Sequence, residues 1–478
     1  MTGKLRMKNV DITNLTIKEA SKLIASKQIK VKELVNLHLG RVKKLNGKLN
    51  AFITICEDQA RHQAEKVDIL IAQGQKLGPL AGIPFAVKDL FSTKGIKTTA
   101  GSKVLENYVP VYDATVISRL KNANAIIVGK TNLDAWGHGA SGENSDFGPT
   151  HNPYNLKRVP GGSSSGSATA VASGSCLAAT STDTGGSTRQ PASFCNLVGL
   201  KPTYGRVSRY GVIAMASSLD TMGHMTKTVY DNALILNITA GKDEFDSTAS
   251  DGIVDNYAEH IDKGVKNIKI GLPKEYFDGL EPKIKAAILK ALKILEKLGA
   301  KIVEVSLPHT EYGVAVYYIV QPAEVSSNLA RYDGIRFGFG REMFGAEAKR
   351  RIILGTFTLS SGYYDAYYLK AMKVRRLIRD DFINVFEKVD VLICPVSPTL
   401  PFKIGEKNTN PLDMYLDDIF TVNANLAGIP SLALPCGFID DLPVGIQIIG
   451  PDFSEKLLYQ VGYAYEQETK WYERTPKL

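Results

Sequence analysis

Serines clustered between glycines are the residues of this chain best placed to do covalent chemistry. One knot runs from Gly161 to Ser167 (GGSSSGS) and a second from Thr184 to Ser187 (TGGS). Between them lie two small-residue segments, Ala168 to Ala172 and Cys176 to Ala179. A flexible Gly/Ser linker does not alternate with such segments, which read as a helix and a buried strand packed too closely for bulky side chains. Glycine next to a hydroxyl residue also lets backbone N–H groups converge on a ligand. A serine becomes a nucleophile only when a neighbouring base removes its proton, usually a histidine and otherwise a lysine. His138 and His151 are the histidines nearest in sequence to the knots, and a Ser-His-Asp arrangement through His138 and Asp183 is one solution. Lys88, which ends the apolar run from Gly82 to Val87, is the other. A lysine in that position is either paired or chemically employed, or it snorkels to the surface from a strand end. The residues alone leave both solutions open.

The elements that must carry these groups follow from periodicity and end signals. Thr16 and Glu19 form a capping box ahead of Ile17, Ala20, Leu23 and Ile24, and a second helix starts at Val31. His38 on that second helix reads as a packed residue. A third helix covers Cys56 to Gly74, and Thr115 to Thr131 reads as helix then strand. Strands are expected near 268–272, 301–306, 389–395 and 444–450, with a helix from Pro282 to Leu298 and a mainly helical, tyrosine-rich span from Glu324 to Ile378. This alternation is α/β grammar, a sheet covered by helices, and a single large α/β domain is the economical reading of 478 residues.

Composition narrows the classes further. The chain is 44% hydrophobic and 22% charged, an ordinary globular balance. Its net charge of +9 fits an acidic partner, but no Lys/Arg-rich arm focuses it, so a solvated surface accounts for it. Cys56, Cys176, Cys195, Cys394 and Cys436 are widely spaced without a C-x-x-C pair, which points to buried thiols rather than disulfides or a metal site. No leader resembling a signal peptide and no apolar run of membrane-spanning length is seen, so a cytoplasmic location is expected.

The motif DTGGSTRQPASFC from Asp183 to Cys195, followed by GLKPTYGRVS from Gly199 to Ser208, resembles the amidase signature family over nearly the whole chain. Within that family the resemblance is to the glutaminase subunits of tRNA-dependent amidotransferases. It implies a single large α/β domain, a central mixed sheet with helices on both faces: a helical segment about 14–74, a signature core about 82–225 and a remainder about 226–478. It also implies a Ser-Ser-Lys relay, with Ser187 as nucleophile, Ser163 as bridging serine after a cis peptide bond, and Lys88 as base. The family's spacing of twenty-four residues between the two serines is kept. Backbone N–H groups around Thr184, Gly185 and Gly186 would hold the oxyanion. A free lysine is neutral less than ~0.1% of the time at pH 7. Burial lowers the pKa by up to ~3–5 units. A lysine poised near neutrality then stores roughly 4 kcal/mol.

By the same resemblance the substrate is glutamine, with Arg351 clamping its carboxylate in bidentate fashion, Asp418 pairing with its ammonium and Tyr317 adding a hydrogen bond, a part that Tyr318 could also play. No cofactor or metal is expected in this chain. ATP and Mg would belong to a partner, within a heterotrimer containing subunits B and C that acts on a misacylated tRNA, Glu-tRNA(Gln) or Asp-tRNA(Asn). A stand-alone amidase for small amides is the alternative, and a non-catalytic scaffold is a third reading. Three places depart from the family's pattern. Ser165 stands where a glycine is usual, and a serine there at positive φ costs roughly 1–2 kcal/mol. His138 and Gly142 replace the methionine and threonine of MGSSTENS, and the segment between Gly340 and Arg350 looks short.

Overall fold

The computed structural model of the chain describes residues 11–335, 338–407 and 410–478. Residues 1–10, the stretch on which the expected absence of a leader rests, lie outside them. Eleven strands in chain order form one sheet: β1 (Phe52–Ile55), β2 (Pro84–Lys88), β3 (Ile126–Thr131), β4 (Ala178–Asp183), β5 (Val198–Lys201), β6 (Thr221–Thr226), β7 (Lys269–Pro273), β8 (Lys301–Val305), β9 (Val391–Pro395), β10 (Ser431–Ile439) and β11 (Leu442–Ile449). Their order across the sheet is β1-β3-β2-β4-β6-β5-β10-β11-β9-β7-β8. The sheet is mixed. β3, β2 and β4 run parallel, as do β9, β7 and β8, and the central strands between the two groups pair antiparallel.

The two parallel groups decide where chemistry can happen. Parallel neighbours end at the same edge of a sheet, so the residues just past their C-terminal ends share one crevice. β2 ends on Lys88, β4 on Asp183 before the TGGS knot, and β3 on Thr131 before Asn132 and Asp134. The helix Ser165–Ala172 packs on β2, β3 and β4 and is buried along its whole length. A β-carbon at Gly166 would fall 2.6 Å from the backbone of Asn132, so small residues here are a packing requirement. The expectation of a small-residue helix followed by a buried strand holds. The strand begins two residues later than expected and continues through Thr180, Ser181 and Thr182 to Asp183, because β6 pairs with all six of its residues.

Elsewhere the periodic elements stand close to their expected bounds. The Thr16–Glu19 capping box is formed, with both reciprocal hydrogen bonds present. His38 is buried, its Nδ1 sharing a 3.0 Å hydrogen bond with the carbonyl of Gly174. The tyrosine-rich span is helical but starts earlier, at Gly313, runs through Pro322 to Asn328, and includes a π-helical turn at Tyr364–Leu369. β10 has no counterpart among the expected strands. It carries Pro435 and Gly437 at a register shift, and such residues argue locally against a strand. All five cysteines are buried and free. Among the described residues no helix is long and apolar enough to cross a membrane.

Candidate active site

Lys88 does not snorkel: it is fully buried at the end of β2. Its Nζ donates to Ser163 Oγ at 2.9 Å, Ser164 Oγ at 2.9 Å and Thr182 Oγ1 at 2.7 Å. None of these is a charged partner. Burial pushes its pKa from 10.5 down to about 7, while the more distant carboxylates of Asp134, Asp183 and Asp220 oppose the shift. An amine in this state is half neutral near physiological pH and can accept a proton from a hydroxyl it touches.

The two Gly-Ser knots lie side by side. The peptide between Gly162 and Ser163 is cis. Asp134 N–H donates to the Ser163 carbonyl at 3.2 Å, and Ser164 N–H donates to the Ser187 carbonyl at 3.2 Å. Ser187, 8% exposed against 1% for Ser163, is the least buried serine of the group. Among the described residues no hydrogen bond joins Ser163 Oγ to Ser187 Oγ; the Lys88–Ser163 contact is formed and the serine–serine contact is not. Such links are often long in a ligand-free site. None of the backbone N–H groups of Gly185, Gly186 and Ser187 donates to another described residue. The turn that carries them is held from outside: Thr184 Oγ1 donates to Asp220 at 2.7 Å, and Thr421 Oγ1 donates to the Gly185 carbonyl at 2.5 Å. Gly186 has φ +145, and a β-carbon there would collide with Thr421.

The histidine solution is not assembled. Asp183 is committed to Arg189 at 3.0 Å through both carboxylate oxygens and to Asn425 at 2.9 Å. Burial alone would raise its pKa, but the Arg189 guanidinium holds it down to about 2. His151 Nδ1 is taken by the Leu156 carbonyl at 2.7 Å, and His138 is bonded to neither serine. Lysine is the base within reach.

A second group of polar residues approaches the TGGS turn from the helical layer. Arg351 is buried on the helix Ala346–Thr358. Its Nε donates to Glu347 Oε1 at 2.8 Å and its Nη1 to Gln321 Oε1 at 2.9 Å. The rings of Tyr318 and Tyr415 stack with centroids 3.9 Å apart, and each lies 5.3–5.5 Å from the guanidinium carbon. Asp418 is half-buried and accepts from Tyr318 O–H at 2.9 Å. Burial raises its pKa to about 7, against the Tyr318 hydrogen bond and the Arg351 charge. Its neighbour Asp417 is the structural acid, bound to Lys407 at 2.5 Å. Tyr318 is thus tied to Asp418, while Tyr317, the tyrosine expected to reach the substrate, lies against Gly185: a β-carbon there would sit 2.6 Å from the Tyr317 hydroxyl. Two of the Arg351 donor atoms are already occupied, which leaves Nη2 and the open side of Nη1 for a ligand. A guanidinium and a carboxylate are therefore both held against the Tyr318 side chain.

The profile of the Amidase family matches residues 33–459. The chain belongs to that family. It is 52% identical over 485 residues to the A subunit of glutamyl-tRNA(Gln) amidotransferase of Sulfurihydrogenibium sp. (strain YO3AOP1), covering 98% of this chain and 100% of the relative. The protein of the same name from Geobacillus thermodenitrificans is 50% identical over 479 residues, covering 97% and 99%. The crystal structure of the A subunit of glutamyl-tRNA(Gln) amidotransferase from Thermotoga maritima superimposes with a TM-score of 0.83 at 44% identity, covering 97% and 96%. That of native peptide amidase from Stenotrophomonas maltophilia does so with 0.85 at 30% identity, covering 97% and 98%. The chain is thus an amidase-signature enzyme with the α/β fold of that family.

Two departures from the amidase pattern prove to be one. Ser165 is the first residue of its helix, not at positive φ, and donates to Thr150 Oγ1 at 3.2 Å. The glycine that does need positive φ is Gly142, at +85, where a β-carbon would lie 2.5 Å from the Ser165 β-carbon. The extra atoms at 165 occupy the room released at 142. Further members of the site went unread in the sequence. Ser164 and Thr182 share the amine of Lys88. Asp134, pushed up to about 6 by burial, accepts from the N–H groups of Gly142 and Asn144 at 3.0 Å and so holds the 137–148 loop. Glu347, four residues before Arg351 on one helix face, was legible as an i,i+4 pair. Asp134 and Thr182 carry no local signal.

Proposed function

We propose that this chain is the glutaminase subunit of a tRNA-dependent amidotransferase. Lys88 takes a proton from Ser163, Ser163 takes one from Ser187, and the Ser187 oxygen attacks the side-chain amide carbon of glutamine. The oxyanion is stabilised by N–H groups of the turn containing Thr184, Gly185, Gly186 and Ser187. Ammonia leaves and water resolves the acyl-enzyme through the same relay. Arg351 binds the α-carboxylate, Asp418 the α-ammonium, and Tyr318 together with Tyr317 shapes the space between them and the turn. The observation that carries glutamine over an apolar amide is the pair Arg351 and Asp418, because an apolar ligand would leave Asp418 with no cationic partner and the remaining Arg351 donors, beyond those held by Glu347 and Gln321, unbonded. The relatives' shared name supports the rest of the reading. Subunits B and C complete a cytoplasmic heterotrimer, and the partner that binds the misacylated tRNA uses ATP and Mg.

The test is ammonia release from glutamine by the chain alone and with partner subunits, ATP and misacylated tRNA. Weak release alone with strong stimulation by the assembly supports the reading. Faster hydrolysis of unrelated amides, without stimulation, makes the chain a stand-alone amidase. Within the assembly, Arg351→Ala loses a charge-assisted contact worth about 1.5–3 kcal/mol, so KM for glutamine rises about 10- to 150-fold. An unchanged KM removes Arg351 from the site.

The pH profile carries a signed prediction. Lys88 must be neutral and Asp418 ionised, and both are placed at about 7. As pH falls through 7 each gains a proton and loses its role, so kcat/KM of the free enzyme falls with a slope approaching two. Bound substrate ammonium holds Asp418 ionised, so kcat falls with a slope of one. Rate profiles between about pH 5 and 9 resolve this; a kcat/KM independent of pH below 7 contradicts both assignments.

A further inference from the structure

His138 is a buried polar group that the relay does not use. It is 1% exposed, and neither Nδ1 nor Nε2 has a hydrogen-bond partner among the described residues. Buried side-chain nitrogens are paired in the large majority of cases, so an orphaned ring calls for a ligand or a strong packing reason. Its surroundings point to the first. On one side, the preceding residue abuts the relay: a β-carbon at Gly137 would lie 3.7 Å from Ser163 Oγ. On the other side, Trp136 packs on Phe344 with ring centroids 5.2 Å apart, just before the helix that carries Arg351. The segment is held firmly, since His138 N–H donates to the Ala135 carbonyl at 3.0 Å and Asn144 Nδ2 donates to the His138 carbonyl at 3.1 Å. The backbone that carries the ring is therefore fixed beside Ser163, and the Arg351 charge lies close enough to act on the imidazole.

Burial, and then the nearby Arg351 charge, keep the imidazole well below its usual pKa. In that state it offers one N–H donor and one lone pair. A second cation beside Arg351 would repel it, whereas a neutral donor there adds a hydrogen bond to an anion without that penalty. Arg351 has spent Nε on Glu347 and one Nη1 contact on Gln321, so Nη1 and Nη2 can still reach the anion but fill only part of the acceptor sites of a carboxylate.

Building on the glutaminase reading, we propose that His138 is a substrate-binding residue that donates a ring N–H to the α-carboxylate held by Arg351. It would thereby help select free amino-acid amides over amides lacking that carboxylate. The experiment is calorimetric titration of the full chain carrying Ser187→Ala, so that nothing turns over, with L-glutamine and with L-glutamine methyl ester, which lacks the negative charge. His138→Met fills the same space without a donor and His138→Gln keeps one; thermal melting shows that each is folded. The expected result is a glutamine Kd raised about tenfold or more by His138→Met and largely restored by His138→Gln. The ester, in contrast, binds equally to all three. A glutamine Kd unchanged in His138→Met overturns the inference alone, as does an equal loss for glutamine and ester, which marks a packing role. If His138→Met does not fold, a tenfold loss in His138→Gln overturns it and retention supports it. Absence of glutamine binding with His138 in place overturns the glutaminase reading itself.

Discussion

Ser187→Ala is expected to lower glutamine-dependent ammonia release by about 10⁴–10⁶-fold, the scale on which removal of a serine nucleophile acts. The reason is geometric. Ser187 is the least buried serine of the group, at the end of a turn whose N–H groups donate to no described acceptor, whereas Ser163 and Ser164 are bonded to Lys88. Another serine cannot take its place without moving the turn, which Thr421, Asp220 and Asn425 hold through Gly185, Thr184 and Asp183. Binding is expected to survive, because Arg351 and Asp418 do not depend on the Ser187 hydroxyl. Calorimetric Kd and stopped ammonia assays on one preparation separate the two. Turnover within tenfold of the wild type ends the proposal.

Lys88→Arg is expected to cost about 10²–10⁴-fold in kcat, the usual contribution of a positioned general base. It keeps a positive charge and hydrogen-bond donors near the hydroxyls of Ser163, Ser164 and Thr182. What it removes is the ability to be neutral, since a guanidinium does not give up its proton at accessible pH. Lys88 sits at about 7 because burial has stripped water from it and no carboxylate touches it. Lys88→Met, which removes the charge too, is expected to lose activity to a similar extent. Comparable losses in both variants, with melting temperatures that show folded protein, identify the base function rather than the charge. Activity preserved in Lys88→Met would return the question to the histidines.

Much of this was legible locally. The capping box at Thr16 and Glu19, the helical spacing of Ile284, Ile288, Leu292 and Leu295, and the apolar strands ending at Lys88 and near Pro395 are set by neighbours within a turn or two. So are the small residues of the helix Ser165–Ala172, whose size is a condition of close packing rather than a sign of flexibility. β10 escaped because Pro435 and Gly437 act locally against a strand, while its antiparallel partners β5 and β11 supply the pairing that overrides them.

The sequence by itself determined the element types, the α/β class and, through the signature motif, the family. The residues alone left the proton acceptor open between His138 and Lys88, and the resemblance pointed to Lys88 and to Tyr317, with Tyr318 as the other choice. Which hydroxyls the Lys88 amine touches and which tyrosine touches Asp418 were set only by the tertiary structure, because each is a distance between residues far apart in the chain. Lys88 meets Ser163 and Thr182 only because β2 and β4 lie parallel and end at one edge. Asp183 is unavailable to a histidine only because Arg189 and Asn425 reach it from elsewhere in the fold. Tyr318 rather than Tyr317 faces Asp418 because consecutive helical residues point about 100° apart. Local pattern sets where a side chain can point; packing sets what it meets there.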